Sequence, residues 1–253
     1  MALLEVRRIT KYFGGLAALK EVEFEVHKGE LLGIIGPNGA GKTTLYNIVT
    51  GFYKPTSGSI IFRGENIVGQ RMDKITGKGI VRTWQTTVLF ENMSALENVI
   101  AGHHLSRKAG FWKSVFFPSR HEEKEIAKRS IDILEFLGLV SVRNQLARSL
   151  PHGYKRALGV AIALAARPDI LLLDEPVTGM NPEETATMMK ILERIRDRGV
   201  TLGIIEHDVR AVMSTCDRIV VLNFGQKIAE GVPQEIQRNK DVIQAYLGAE
   251  KRK

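Results

Sequence analysis

The stretch Gly36-Pro37-Asn38-Gly39-Ala40-Gly41-Lys42-Thr43-Thr44 decides how the rest of the chain is read. Glycine stands at both ends of a four-residue spacer, followed by lysine and then a hydroxyl residue. Gly36 and Gly41 let the backbone turn tightly, so that successive N–H groups point inward and cradle phosphate oxygens. Lys42 supplies a compact cation for the β- and γ-phosphates, and the Thr43 hydroxyl is a ligand for Mg²⁺. Upstream, Glu30-Leu31-Leu32-Gly33-Ile34-Ile35 is a short apolar run that predicts a buried strand; downstream, Thr43 to Thr50 predicts a helix. A loop between strand and helix gains the favourable field of the helix N-terminus for an anion. Gly36 to Thr44 is therefore a P-loop, and the chain is expected to bind a nucleoside triphosphate.

A second apolar run, Ile170-Leu171-Leu172-Leu173, ends in Asp174-Glu175. Asp174, at a strand's C-terminal end beside the P-loop, is placed to hold Mg²⁺ through water. Glu175 is a candidate general base that orients the attacking water. A third run, Thr201 to Ile205, leads into Glu206-His207-Asp208, where His207 is a candidate contact for the γ-phosphate. Gln85, after Gly79-Ile80-Val81-Arg82-Thr83-Trp84, is a candidate to bond Mg²⁺ or the attacking water and to link the site to a helical region. Leu150-Pro151-His152-Gly153-Tyr154-Lys155-Arg156 stands immediately before a helix read over Ala157 to Ala166, and a glycine-bearing helix N-terminus is an anion site by geometry.

Around these motifs, Leu3 to about Phe62 looks largely β apart from the P-loop helix, with a turn at Pro55-Thr56-Ser57-Gly58-Ser59 before the strand Ile60-Ile61-Phe62. From about Thr86 to Arg167 the pattern is helical, with Ile126, Ile131, Leu134, Leu137 and Leu139 broadly at helical spacing. Strands are expected at Ile170 to Leu173, Val200 to Ile205 and Arg218 to Leu222, alternating with helices as in a parallel sheet. One helix is especially legible: Asn181 is an N-cap, Pro182 suits the first position, and Glu183 and Glu184 sit in the positive first turn. Met188, Ile191, Leu192 and Ile195 give it an apolar stripe that ends before Gly199.

The 253 residues, 44% hydrophobic and 25% charged, describe an ordinary globular chain with one substantial core or two joined subdomains. The longest apolar run, Ala157 to Ala166, falls short of the ~20 residues that a membrane-spanning helix needs. The start, Met1-Ala2-Leu3-Leu4-Glu5-Val6, lacks a signal-peptide layout. A single cysteine, Cys216, excludes an intramolecular disulfide and is read as a small core residue. The net charge of +8 and a pI near 9.6 call for an anionic partner: a nucleotide, a nucleic acid or an acidic membrane face. Basic residues gather between Arg107 and Arg129 and at Lys251-Arg252-Lys253.

In this order the motifs resemble the ATP-binding subunit of ABC transporters across essentially the whole chain. The resemblance implies an α/β fold, the ABC-type P-loop NTPase: a mainly parallel sheet core, an N-terminal antiparallel β part and a helical subdomain inserted over about 86–167, all within one domain, 1–253. It maps the family's Q-loop onto Gln85, its signature onto Leu150 to Arg156, and its Walker B acid and catalytic glutamate onto Asp174 and Glu175. Its D-loop falls on Gly179-Met180-Asn181-Pro182 and its H-loop on His207. Phe13, in Thr10-Lys11-Tyr12-Phe13-Gly14-Gly15, would stack on adenine, with Tyr12 the alternative. Phe13-Gly14-Gly15-Leu16, Val81 to Gln85, Ile205 to Asp208, the long basic insert before His121 and Ala245-Tyr246-Leu247-Gly248 resemble the branched-chain amino acid importer branch (the LivG type).

The resemblance implies the cofactors ATP and Mg²⁺ and a catalytic set of Glu175, His207, Lys42 and Gln85. Gly36, Pro37, Asn38, Gly39, Ala40, Gly41, Lys42, Thr43, Thr44, His152 and Gly153 join Phe13 as nucleotide contacts, and Thr43, Gln85 and Asp174 hold the metal. Its partners would be two transmembrane permeases, a second and different ATP-binding subunit and, indirectly, a substrate-binding protein, with no nucleic acid, at the cytoplasmic face of the membrane. Pro151 stands where the family has serine and Tyr154 where it commonly has glutamine. Proline offers neither hydroxyl nor N–H, so donors to a phosphate are lost. The alternatives are an ABC-type ATPase of another transport system, exporter or lipid-linked, and a soluble ATPase acting on nucleic acid.

Overall fold

The computed structural model describes residues 2–84, 88–103 and 120–250. Gln85, most of the basic insert and Lys251 to Lys253 lie outside the described residues.

The N-terminal half of the β structure is an antiparallel sheet in the order β2-β1-β4-β5, built from Ala2–Phe13 (β1), Leu16–His27 (β2), Ser57–Phe62 (β4) and Glu65–Asn66 (β5). The expected turn at Pro55 to Ser59 is shorter than read: Thr56 N–H bonds the Thr10 carbonyl at 2.8 Å, and the strand begins at Ser57.

A second sheet of six strands runs β10-β9-β3-β8-β7-β6. Its members are Leu31–Ile35 (β3), Ile80–Arg82 (β6), Ile170–Asp174 (β7), Thr201–Ile205 (β8), Arg218–Asn223 (β9) and Gln226–Gly231 (β10). All neighbours are parallel except β10 on β9. Strands β6 and β10 are additions to the three carboxyl-half strands expected from the sequence. Short apolar or mixed segments like these carry no alternation of their own, and neighbouring strands decide them.

The central strands are buried on both faces, and the pleat sorts their side chains. Leu31, Leu171, Leu173, Leu202, Ile204, Ile219 and Val221 enter one apolar cluster with the helices. Leu32, Ile34, Ile170, Leu172, Ile205, Val220 and Leu222 enter the other, against the antiparallel sheet and Lys42–Val49 (α1). At Gly33 an added Cβ would lie 2.6 Å from Val212 and 3.0 Å from the Cys216 sulfur, so the helix Val209–Thr215 (α7) packs directly on β3. Cys216 is buried there, as the core reading expected.

Helices Met72–Lys78 (α2), Ala95–Gly102 (α3), Arg120–Phe136 (α4) and His152–Ala165 (α5) precede β7, and Pro182–Asp197 (α6) follows it. The last two described helices are Pro233–Arg238 (α8) and Lys240–Glu250 (α9). Helix α5 corrects the sequence reading. The segment His152 to Arg156 is its first turn, with Pro151 at the N-cap, and does not precede it. Helix α4 ends at Phe136, so Leu137 and Leu139 continue the buried stripe beyond the helix. Helix α6 follows its expectation closely: the Asn181 side chain accepts from the Glu183 and Glu184 N–H groups, and Met188, Ile191, Leu192 and Ile195 are buried.

Candidate nucleotide site

The strand order brings the motifs together. Because β3, β8 and β7 are adjacent and parallel, their carboxyl ends open on one edge of the sheet, where the ligand crevice of an open α/β sheet lies. The P-loop leaves β3, Glu206-His207 leaves β8, and Asp174 ends β7 in register with Ile205. A cleft of about 1130 Å³ opens there, lined by Tyr12, Phe13, Asn38 to Thr44, Glu175 and His207.

Two positions of the P-loop require glycine. At Gly36 (φ 154°) a Cβ would fall 2.1 Å from the Leu222 carbonyl oxygen. At Gly41 (φ 100°) it would fall 2.7 Å from both the Ala18 carbonyl oxygen and Leu19. Gly41 caps α1, whose first residues are Lys42, Thr43 and Thr44. Lys42 is buried, and its Nζ donates to the Gly36 carbonyl at 2.6 Å and the Pro37 carbonyl at 3.2 Å. Burial draws its ammonium below the ordinary lysine range, opposed by the charges of Glu175 and Asp174.

Opposite the loop, His207 Nε2 and Glu175 Oε1 stand 2.7 Å apart. Glu175 adopts a left-handed backbone (φ 51°), an uncommon conformation for a residue with a side chain. Its N–H donates to the Ile205 carbonyl at 2.8 Å, and the Thr178 hydroxyl donates to its Oε2 at 3.2 Å. Phe13 meets Tyr53 edge to face at 5.2 Å between ring centroids, with the Lys11 ammonium 5.0 Å from the Phe13 centroid.

Asp174 is 3% exposed and does not line the cleft's wall; its Oδ2 accepts from Arg82 Nη2 at 2.5 Å. His152 and Gly153 also lie apart from this cleft. An added Cβ on Gly179 would come within 3.3 Å of the His152 ring, and one on Gly153 within 3.1 Å of Glu184, so the first turn of α5 packs on the segment that begins α6.

Comparison with known proteins agrees with this geometry. The profile described as ABC transporter matches residues 19–178, and that described as branched-chain amino acid ATP-binding cassette transporter matches residues 226–252. The chain belongs to the ABC transporter family. The high-affinity branched-chain amino acid transport ATP-binding protein BraF of Pseudomonas aeruginosa is 43% identical over 249 residues, covering 97% of this chain and 98% of its own. LivG of Escherichia coli, described in the same words, is 41% identical with the same coverage. Among solved structures, the ADP conformation of an ATP-binding cassette of an ABC transporter superposes with a TM-score of 0.87 at 32% identity, covering 98% of this chain and 99% of that one.

Three residues of the cassette site escaped the sequence reading. Arg82 stands in the branch-like stretch Val81 to Gln85, yet its guanidinium joins Asp174 to the Asn47 Oδ1 (2.6 Å) and lies 4.3 Å from the Trp84 ring centroid. Glu206, read as a flank of His207, is buried to 1% exposure. Tyr246, in α9, has the Gly36 main chain beside its hydroxyl, which burial pushes up to about 12. An arginine in a strand and an acid after a strand read as surface residues, so no local signal marked the first two.

Proposed function

We propose that this chain is the ATP-hydrolysing subunit of an ABC importer for branched-chain or other hydrophobic amino acids. The observation that carries the reading is the Glu175–His207 pair, 2.7 Å apart, in one cleft with the P-loop. The substrate class rests on the importer relatives, which align over 97% of the chain.

Lys42 and the inward N–H groups of the loop carry phosphate charge. Glu175 orients and polarises the attacking water, and His207, hydrogen-bonded to it, reports the γ-phosphate. Electrostatic stabilisation supplies most of the rate, as in other phosphoryl transfers. Phe13 offers its ring face to adenine. The Thr43 hydroxyl, at the cleft, and the Asp174 carboxylate, buried against Arg82, are hard oxygen donors of the kind that suits Mg²⁺. With Gln85 they would hold the ion, which neutralises phosphate charge when bound.

The helical region, about 86–167, acts as a subdomain that contacts two membrane permeases at the cytoplasmic face, fed by a substrate-binding protein. Among the described residues no helix is long and apolar enough to cross a membrane. His152 and Gly153, apart from this chain's own P-loop, would face the nucleotide of a second ATP-binding subunit. With Pro151 as N-cap and no side-chain cap bond, that contribution is weak, which favours a different chain as partner.

Glu175→Gln tests the core of the reading. It is expected to retain ATP binding yet nearly abolish turnover; turnover at the wild-type rate removes Glu175 from its role. Capture of the tagged chain from solubilised native membranes tests the assembly. Two permeases and a second ATPase are expected, and recovery of nucleic acid alone overturns the transporter.

A further inference from the structure

The cassette buries a carboxylate that the hydrolytic roles above do not use. Glu206 Oε1 accepts from the Val177 N–H at 2.7 Å, and its Oε2 accepts from the His207 N–H at 3.1 Å. Among the described residues no lysine, arginine or histidine side chain forms an ion pair with it. Burying a carboxylate without a cation is costly, and here main-chain N–H groups offset only part of that cost.

The donors belong to two different segments. Val177 lies two residues after Glu175, on the chain leaving β7; His207 lies on the chain leaving β8. The same segments meet again through the Glu175 N–H on the Ile205 carbonyl and the His207 ring on the Glu175 carboxylate. Glu206 therefore closes a ring that runs from Glu175 through Val177, across its own carboxylate to His207, and back to Glu175. Within that ring Glu175 holds its left-handed backbone, which persists only where surrounding contacts over-determine it. An apolar residue at 206 would leave both N–H donors buried without an acceptor.

We propose that Glu206 is a positioning residue for hydrolysis, holding the main chains of Val177 and His207 so that the His207 ring stays on the Glu175 carboxylate. The assignment rests on the roles of Glu175 and His207 given above.

The test compares Glu206→Ala and Glu206→Gln in the full chain. Three quantities are read: ATP affinity, turnover in the assembled complex, and the ring ¹⁵N signal of His207, which reports its hydrogen bond to Glu175. Glu206→Ala is expected to leave ATP affinity within about twofold while lowering turnover roughly 10- to 100-fold, as for a small misplacement of reacting groups. Its His207 ring signal should move toward that of a solvent-exposed histidine. Glu206→Gln keeps one acceptor and turns the other into a donor facing an N–H, so its turnover falls less; this variant carries the test if Glu206→Ala fails to fold. Wild-type turnover with an unmoved ring signal, in whichever variant folds, overturns the proposal, even if stability has dropped. Glu175→Gln is assayed in parallel: if it is inactive while the Glu206 variants are normal, only the positioning role fails, whereas an active Glu175→Gln removes the reading beneath it.

Discussion

The guanidinium of Arg82 and the carboxylate of Asp174 lie 2.5 Å apart, with side chains 3% and 4% exposed. An ion pair this buried contributes little net stability against an apolar pair, but breaking it strands a charge. Arg82→Met is therefore expected to destabilise the chain by about 3–5 kcal/mol. Adding Asp174→Asn should restore much of the loss, because the stranded charge is then gone. Urea unfolding of the two single variants and the double variant forms the cycle; strict additivity would show that the two side chains do not depend on each other.

Phe13 and Tyr12 both line the cleft, 42% and 46% exposed. Tyr53 meets Phe13 edge to face and buttresses it, so Phe13 is the better supported of the two rings. Phe13→Ala should weaken ATP binding by about 1–3 kcal/mol, the range of an aromatic–base stack, with Tyr12→Ala doing less. Titration with a fluorescent ATP analogue measures both, and the reverse order would assign the base to Tyr12.

Burial raises the Glu206 carboxyl from an ordinary 4.5 to about 7, beside Glu175, His207 and Asp208. The native state thus binds a proton that the unfolded chain has already released between those values. Stability from this group is full below pH 4.5 and is lost as pH rises toward 7. The shift corresponds to roughly 3 kcal/mol across that window. The unfolding free energy of wild type relative to Glu206→Gln, measured at several pH values, should fall as the pH rises from 4.5 to about 7; parallel curves would mean that Glu206 titrates normally.

Asn181 accepts from the N–H groups of Glu183 and Glu184 at 3.0 and 2.9 Å while Glu184 accepts from the Asn181 N–H at 3.0 Å. Asn181→Ala opens this capping box and should cost about 1 kcal/mol. A melting temperature unchanged from wild type would mean that the cap is dispensable.

The parts legible in the sequence were those written in neighbouring residues. The P-loop, the acids after Leu173 and the cap at Asn181 each state their geometry within ten residues or fewer. Arg82 on Asp174 spans 92 positions and Glu206 on Val177 spans 29, and no periodicity encodes which partner a polar side chain meets across a sheet. Strand β6 is short and becomes a strand because β7 pairs with it. The start of α5 was misread for a different reason: Pro151 and Gly153 suggest a loop, but proline at an N-cap loses no hydrogen bond that the helix needs.

The contact between Tyr246 and Gly36 bears on the entropy of nucleotide capture. The Gly36 carbonyl accepts from the Lys42 ammonium and the Gly225 N–H secures the Ala40 carbonyl at 3.1 Å, with the Tyr246 hydroxyl beside the Gly36 main chain. A loop fastened at these points has surrendered much of its conformational freedom during folding, so less of the binding energy goes into ordering it. The helix that carries Tyr246 lies within the stretch matched by the branched-chain transporter profile, residues 226–252. That stretch therefore reaches the P-loop through Tyr246, a residue that does not line the cleft.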